Sequence, residues 1–307
     1  MPRGKTCVKP SAVNIIFVDS SIFCIFAVMK QKNDKETYVT VLSIAGSDSI
    51  GGAGIQADIK TCTALGVYAM TAITAITAQN TMGVNSYVAV DDDMLRGQLQ
   101  AVIDDVRPDA VKIGMLPTVA AVKTVAEFIK KHKLDNVVLD PVCVATSGDA
   151  LTAETVPGAL REYLFPLATL VTPNLSEAQL LSGVEITDPE TFAAAAEAIL
   201  SQGAHAVLMK GGHHYMANRD KATDVLFIAG AMNVPEYSAP FVNTANTHGT
   251  GCTYSSAIAS FLGSGMPLCE AIGNAKAYVS EAIIAGADKL LGHGHGPLCH
   301  FYNVLKK

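Results

Sequence analysis

The chain holds 307 residues (32.1 kDa), half of them hydrophobic, 16% charged and 6% aromatic. That composition supplies a sizeable apolar core and excludes intrinsic disorder as a description of the whole chain. With 22 basic against 28 acidic side chains, a formal charge of −6, there is no cationic footprint for a nucleic-acid backbone or an anionic membrane, so neither is expected as a partner. Seven cysteines, at 7, 24, 62, 143, 252, 269 and 299, include no C-x-x-C pair, the pattern of reduced thiols in a cytoplasm.

Residues 15–29 (IIFVDSSIFCIFAVM) form an apolar run preceded by Arg3, Lys5 and Lys9, the outline of an export signal. Asp19, Ser20 and Ser21 interrupt it, no A-x-A cleavage pattern follows, and it is shorter than the roughly 20 apolar residues of a spanning helix. The reading adopted is an N-terminal extension over residues 1–36, disordered or upstream of a native start at Met29, followed by one domain over residues 37–307.

From residue 37 onward, short β-branched runs alternate with helical patterns, the signature of βαβ units around a mostly parallel sheet. Strands are expected at 41–45, 68–74, 110–113, 136–140, 169–172, 206–210 and 223–228. Helices are expected at 94–106, 119–132, 176–182, 189–201, 253–263 and 268–285. Ile55, Ile59, Cys62 and Leu65 recur at helical spacing and predict an earlier helix with that face on the sheet. In such open sheets ligands collect beyond the carboxyl ends of the strands. The loops there read AGSDSIGGAG, TAQNT, KIGM, LDPVCVATSGD, VTPNLSE and MKGGHH.

Gly52-Ala-Gly54-Ile-Gln-Ala57 fits the dinucleotide fingerprint, but residues 70–80 hold no acidic residue for a ribose, and no G-x-x-x-x-G-K-[ST] occurs. The cluster from Ser47 to Gly54 therefore reads as a tight turn or as backbone that approaches a small ligand closely. The stronger signal is Asn246-Thr247-His248-Gly249-Thr250-Gly251-Cys252 before an apolar helix: backbone N–H groups converge where the helix dipole favours negative charge, an anion hole for a phosphoryl group. Cys252 at the helix start stands where a thiolate is favoured. Asn174 and Glu177, one helical turn apart, read equally as a capping box or as a hold on Mg²⁺. Lys210 ends a buried strand, is costly unpaired, and finds a natural partner in a nucleotide phosphate. His213 and His214 stand beside it, against a nucleotide base or in solvent. His293, His295 and His300 lack further ligands at metal spacing and describe a closing turn.

Taken together, IAGSDSIGGAGIQADIKT, TAITAQNT, KIGML, VVLDPV, SGDALT, TPNLSEA, VLMKGGH, NTHGTGCT and the GHGHGP at 292–297 resemble the bacterial hydroxymethylpyrimidine/phosphomethylpyrimidine kinases of thiamine biosynthesis. The resemblance covers the chain from Val41 to Pro297. It implies an α/β ribokinase-like three-layer sandwich with a mostly parallel central sheet and helices on both faces. It also implies ATP-dependent phosphorylation of 4-amino-5-hydroxymethyl-2-methylpyrimidine and then of its monophosphate, with ATP and Mg²⁺ required and a homodimer in a cytoplasm.

By motif, the implied ring pocket takes Gln79, Asn80, Gly46, Asp58 and the loop from Ser47 to Gly54. A carboxamide at 79 suits a ring nitrogen beside an exocyclic amine, whereas pyridoxal-preferring relatives often carry Met there. ATP would lie over Lys210, Asn174, Thr247 and His213, with Mg²⁺ near Glu177 and Asp140, and Gly249, Thr250, Gly251 and Cys252 at the reacting phosphoryl group. Cys252 stands where other ribokinase-like enzymes place an aspartate base. Residues 141–149 are expected to form a mobile loop over the site. Two alternatives stay open: a pyridoxal kinase on the same scaffold, and a non-catalytic vitamin-binding or regulatory protein.

Overall fold

In the first strand of the main sheet, Val41 points to one face while Leu42 and Ile44 point to the other, and all three are fully buried. A strand covered on both faces must be apolar in both registers, and here it is. The computed structural model describes residues 30–32, 35–143, 152–211 and 220–305. Its strands are β1 (Lys30–Lys32), β2 (Lys35–Thr37), β3 (Thr40–Ser47), β4 (Tyr68–Asn80), β5 (Gly83–Ala89), β6 (Ala110–Ile113), β7 (Val137–Leu139), β8 (Leu170–Val171), β9 (Ala206–Met209), β10 (Lys221–Ile228) and β11 (Glu236–Pro240). The helices are α1 (Gly54–Ala64), α2 (Asp92–Asp105), α3 (Val119–His132), α4 (Val156–Ala159), α5 (Leu175–Ser182), α6 (Pro189–Ser201), α7 (Thr250–Gly263), α8 (Leu268–Gly286) and α9 (Tyr302–Leu305).

Nine strands form one sheet in the order β11-β10-β9-β8-β7-β6-β3-β4-β5. β9, β8, β7, β6, β3 and β4 run parallel, β5 at one edge and β10 near the other run against them, and the edge strand β11 pairs antiparallel with β10. Leu42, Ile44, Val111 and Ile113 pack on one face against Leu99 of α2, Val125 and Ile129 of α3 and Ile199 of α6. Val41, Val138 and Leu208 pack on the other against Cys62 of α1, Ile258 of α7 and Ile272 of α8. This is the expected three-layer arrangement. Beginning at β3, the chain first builds β4 and β5 on one side and then crosses to β6 on the other. The loops after β3, β6 and β7 therefore diverge around a crevice at this switch point.

Four helix starts follow local chemistry. Asp91 accepts from the Met94 N–H and Thr118 from the Ala121 N–H, and Asn174 with Glu177 and Asp188 with Thr191 close reciprocal capping boxes. Several expectations are corrected. β4 extends to Asn80 because residues 75–80 pair with β5, an edge strand that lacks a clean apolar alternation. β11, the opposite edge, was likewise not expected. α7 starts at Thr250, so the anion-hole motif itself supplies the first helical turn. On α1 the buried face runs through Ile55, Asp58, Thr61 and Cys62, while Ile59 is exposed, because Asp58 has a buried charge partner that periodicity alone does not show. Within the stretch assigned to an N-terminal extension, β1 and β2 pair as an antiparallel ribbon separate from the main sheet. The apolar run at 15–29 lies outside the described residues. No helix among the described residues is long and apolar enough to cross a membrane.

Candidate active site

A cavity of about 190 Å³ opens at the switch point, walled by the end of β4, by the loops after β3, β6, β7, β8 and β9, and by the loop into α7 with its first turn. Of the residues named from sequence, it brings together Gly46, Gln79, Asp140, Asn174, Glu177, Lys210, Thr247, Gly249, Thr250, Gly251 and Cys252. Six loops distant in sequence thus meet in one space, which a parallel sheet achieves by placing all its carboxyl ends on one side.

The anion hole is shaped by close backbone approach. Gly249 caps α7 with φ 85°, and a Cβ there would overlap the Gly52 carbonyl oxygen, so only glycine fits. Thr250 Oγ1 donates to the Thr247 carbonyl oxygen at 2.8 Å and holds the loop below the helix start. A Cβ on Gly251 would stand 3.3 Å from Lys210 Nζ and 3.4 Å from Asp140 Oδ2, so the hole and the charge cluster share a wall.

In that cluster Lys210 Nζ donates to Asp140 Oδ1 at 2.9 Å, and Asp140 also accepts from Thr172 Oγ1 at 3.0 Å and Ser255 Oγ at 3.3 Å. The lysine at the end of β9 is therefore paired within the protein, where the sequence pointed to a phosphate. Burial works against both charges, but each holds the other ionised: the Asp140 carboxyl lies below the usual range, aided also by Lys112, and the Lys210 ammonium lies above it. Glu177 differs: burial, with the Asp140 charge adding, pushes its carboxyl up to about 7 against the pull of Lys210. Its Oε2 accepts from the Asn174 N–H at 2.8 Å and Asn174 Oδ1 accepts from the Glu177 N–H at 2.9 Å, so the capping box is real. The two carboxylates Asp140 and Glu177 form a hard-oxygen set that fits Mg²⁺. Among the described residues no group of three or more His, Cys, Asp or Glu side chains forms a dedicated metal cage.

At the other end, Gln79 Oε1 accepts from Thr77 Oγ1 at 3.2 Å, and Ser49 Oγ bridges the Gln79 backbone at 2.7 and 2.8 Å. The side chain is thereby oriented on the cavity wall.

Three of the named residues fall elsewhere. Asp58 is fully buried away from the cavity, held 2.9 Å from Lys112 Nζ through each oxygen and accepting from Ser43 Oγ at 2.5 Å and Ser256 Oγ at 2.7 Å. It braces α1, β3, β6 and α7 and does not face a ligand. Asn80 is exposed outside the cavity, its Oδ1 accepting from the Met82 N–H at 2.8 Å as a turn residue. His213, with His214, lies outside the described residues, as does most of the loop expected to cover the site, residues 144–149.

The expected thiolate at Cys252 is also overturned. Burial pushes its thiol up to about 11, and Asp58 and Asp140 offset the help of Lys112 and the Gly54 N–H. A helix start favours a thiolate only where water or net positive charge assists it.

Two features escaped the sequence reading: Lys112, and the pairing of Asp48 with His248 across two loops that the sequence did single out. Asp48 and His248 form a buried pair, Oδ2 to Nε2 2.8 Å, and Asp48 also accepts from the Gly52 and Ala53 N–H groups at 2.9 and 2.8 Å. Burial acts against the carboxylate, yet the His248 bond and these N–H groups hold Asp48 below the usual range. Lys112, ending β6, contributes to the cavity wall. A charged residue inside an otherwise apolar strand (Ala110–Ile113) was the available signal for it.

A family model described as Phosphomethylpyrimidine kinase matches residues 48–299. The chain is 49% identical over 267 residues to the hydroxymethylpyrimidine/phosphomethylpyrimidine kinase of Rhizobium meliloti, an alignment that covers 86% of this chain and 98% of that protein. Among solved structures, an ADP complex of Bacillus subtilis pyridoxal kinase aligns with TM-score 0.79 at 38% identity over 88% of this chain and 100% of the other. The phosphomethylpyrimidine kinase of Clostridium difficile aligns with TM-score 0.69 at 40% identity over 80% and 99%. These likenesses bear out the resemblance and the ribokinase-like fold, and they make the chain a phosphotransferase. The chain belongs to the hydroxymethylpyrimidine/phosphomethylpyrimidine kinase family.

Proposed function

We propose that this cavity phosphorylates 4-amino-5-hydroxymethyl-2-methylpyrimidine with ATP and then phosphorylates the monophosphate to the diphosphate, supplying thiamine diphosphate biosynthesis. The observation that carries the reading is the placement of a ring-recognising carboxamide, Gln79, in the same cavity as the anion hole of Gly249 to Cys252 and the Lys210–Asp140–Glu177 cluster. The carboxamide offers one acceptor and two donors, which match an aminopyrimidine edge.

The phosphates of ATP would rest on the N–H groups at the start of α7, with Lys210 turning from Asp140 toward their charge. Thr247 and Asn174 line the same wall. Mg²⁺, held through Glu177 and Asp140, would neutralise charge on the transferred group. The hydroxymethyl oxygen attacks the γ-phosphorus, the bond to the ADP oxygen breaks, and the hydroxyl proton leaves to a weak base, which suffices for a transition state stabilised mainly by positioning. With its thiol protonated, Cys252 acts here by orienting the hydroxymethyl oxygen through a hydrogen bond. In the second reaction the monophosphate oxygen takes the place of the hydroxyl.

Residence in a cytoplasm agrees with the lack of a C-x-x-C pair in the sequence. A homodimer is supported by Ile76, Met82 and Val88, exposed by 61, 66 and 72% around the β4–β5 ribbon, and a monomeric mass by light scattering would refute it. The central experiment is ADP release from the full chain with Mg·ATP and either the hydroxymethylpyrimidine or pyridoxal. A kcat/KM favouring the pyrimidine is expected. Preference for pyridoxal would overturn the substrate assignment, and silence with both would overturn the kinase reading.

A further inference from the structure

The GHGHGP turn at 292–297 takes no part in the chemistry above, yet it touches both the segment just beyond Gln79 and the anion-hole loop. Thr81 follows β4 directly, two residues beyond Gln79, and is buried. Its Oγ1 accepts from the His293 and Gly294 N–H groups at 3.2 and 3.1 Å, and its carbonyl oxygen accepts from the His295 N–H at 2.9 Å. This three-point grip depends on close approach, since a Cβ on Gly294 would overlap that carbonyl oxygen.

One residue further on, the turn grips the anion-hole loop. The Gly296 carbonyl oxygen accepts from the His248 N–H at 3.1 Å, and Pro297 forms a parallel bridge with His248. Just after the turn, His300 Nε2 meets the Gly52 carbonyl oxygen at 3.0 Å, while the His248–Asp48 pair joins the same glycine-rich loop to the anion hole. A turn that only closed the chain would need one of these attachments. Here a single short segment ties the strand end that carries Gln79 to the loop that carries Gly249.

We infer that Thr81 is a positioning residue and that residues 293–297 form a clamp setting the separation between the ring-binding and phosphate-binding ends of the cavity. The inference rests on the functional reading above for the identity of those two ends. Phosphoryl transfer depends steeply on that separation, because a displacement of about 1 Å costs on the order of a hundredfold in rate.

Thr81→Val keeps the side-chain volume and removes the acceptor for two N–H groups, while Thr81→Ser keeps the acceptor. In steady-state assays of the full chain, Thr81→Val is expected to raise KM for the ring substrate and to lower kcat, at least about tenfold together in kcat/KM, with Thr81→Ser within about threefold of wild type. A turn serving stability alone would lower the active fraction and leave KM unchanged, and that result overturns the inference. Wild-type turnover separately tests the functional reading. If the wild type prefers pyridoxal, the same ratio is read with pyridoxal, so the two failures are distinguishable. Hydrogen exchange of the wild type gives a second reading independent of variant folding: the 293–295 amides are expected to slow when the ring substrate binds at Gln79, and unchanged exchange overturns the clamp.

Discussion

Replacing Asp58 by asparagine leaves the Lys112 ammonium, fully buried, facing an amide in place of a carboxylate. In the native protein burial opposes the lysine charge, but Asp58 holds it ionised and its pKa above the ordinary lysine range. Both carboxylate oxygens stand 2.9 Å from Nζ, and the hydroxyls of Ser43 and Ser256 donate to the same group. Breaking one side of a buried pair costs about 3–5 kcal/mol. The serine bonds lose their charge assistance, and that loss is part of the same cost. A loss of about 4 kcal/mol is therefore expected for Asp58→Asn, a large part of the roughly 5–15 kcal/mol that stabilises a typical domain.

Equilibrium urea unfolding of the wild type, Asp58→Asn, Lys112→Met and the double variant measures it. The double variant removes both charges and is expected to cost less than the two singles summed, with a coupling energy of about 2–3 kcal/mol. A loss under about 1 kcal/mol for Asp58→Asn, or a coupling near zero, would refute the reasoning. Because Asp58 lies outside the cavity, KM for the pyrimidine should stay unchanged in the folded variant. A rise in KM without loss of stability would restore Asp58 as a substrate-binding group.

Two further outcomes are expected. Cys252→Ala should lower kcat far more than it raises KM for ATP, and Cys252→Ser, which keeps a hydrogen-bonding group without an accessible anion, should retain most of kcat. A serine variant as slow as alanine would instead require the thiolate, against the raised thiol pKa that burial imposes. Burial, with Lys60 adding, lowers the His300 pKa to about 4 although its bond to the Gly52 carbonyl oxygen acts the other way. A histidine depressed in the folded state contributes stability that is present above its unfolded value near 6.5 and is lost as pH falls toward 4. Wild-type stability should thus drop by about 2 kcal/mol between pH 6.5 and 4.5 relative to His300→Gln, which titrates no proton there. Equal slopes in urea unfolding would refute the assignment.

Much of this molecule is written in local sequence. β6, α3 and α6 fall where periodicity and helix signals put them, because Ala110, Val111 and Ile113 form an apolar run and Thr118 and Asp188 supply side-chain caps. The anion hole is equally legible, since a glycine-rich turn before a helix creates converging N–H groups through backbone geometry alone. The family resemblance, carried by long loop strings, pointed to the chemistry and to most of the cavity wall.

What local pattern could not decide was the partner of each buried charge. Asp58 and Lys112 are 54 residues apart, Lys210 and Asp140 are 70 apart, and Asp48 and His248 are 200 apart. Whether a buried carboxylate faces a ligand or a lysine depends on which strand lies beside which, and that order is set only when the sheet assembles. The same holds for Cys252, whose helix position predicts a thiolate while burial in the assembled fold, with Asp58 and Asp140 adding, raises its thiol pKa. The sequence alone determined the central strands, most of the helices and the glycine-rich loop before α7. Tertiary structure decided which charges are spent on holding that framework together and which remain for the substrate, because electrostatics acts through space between groups that the chain order keeps far apart.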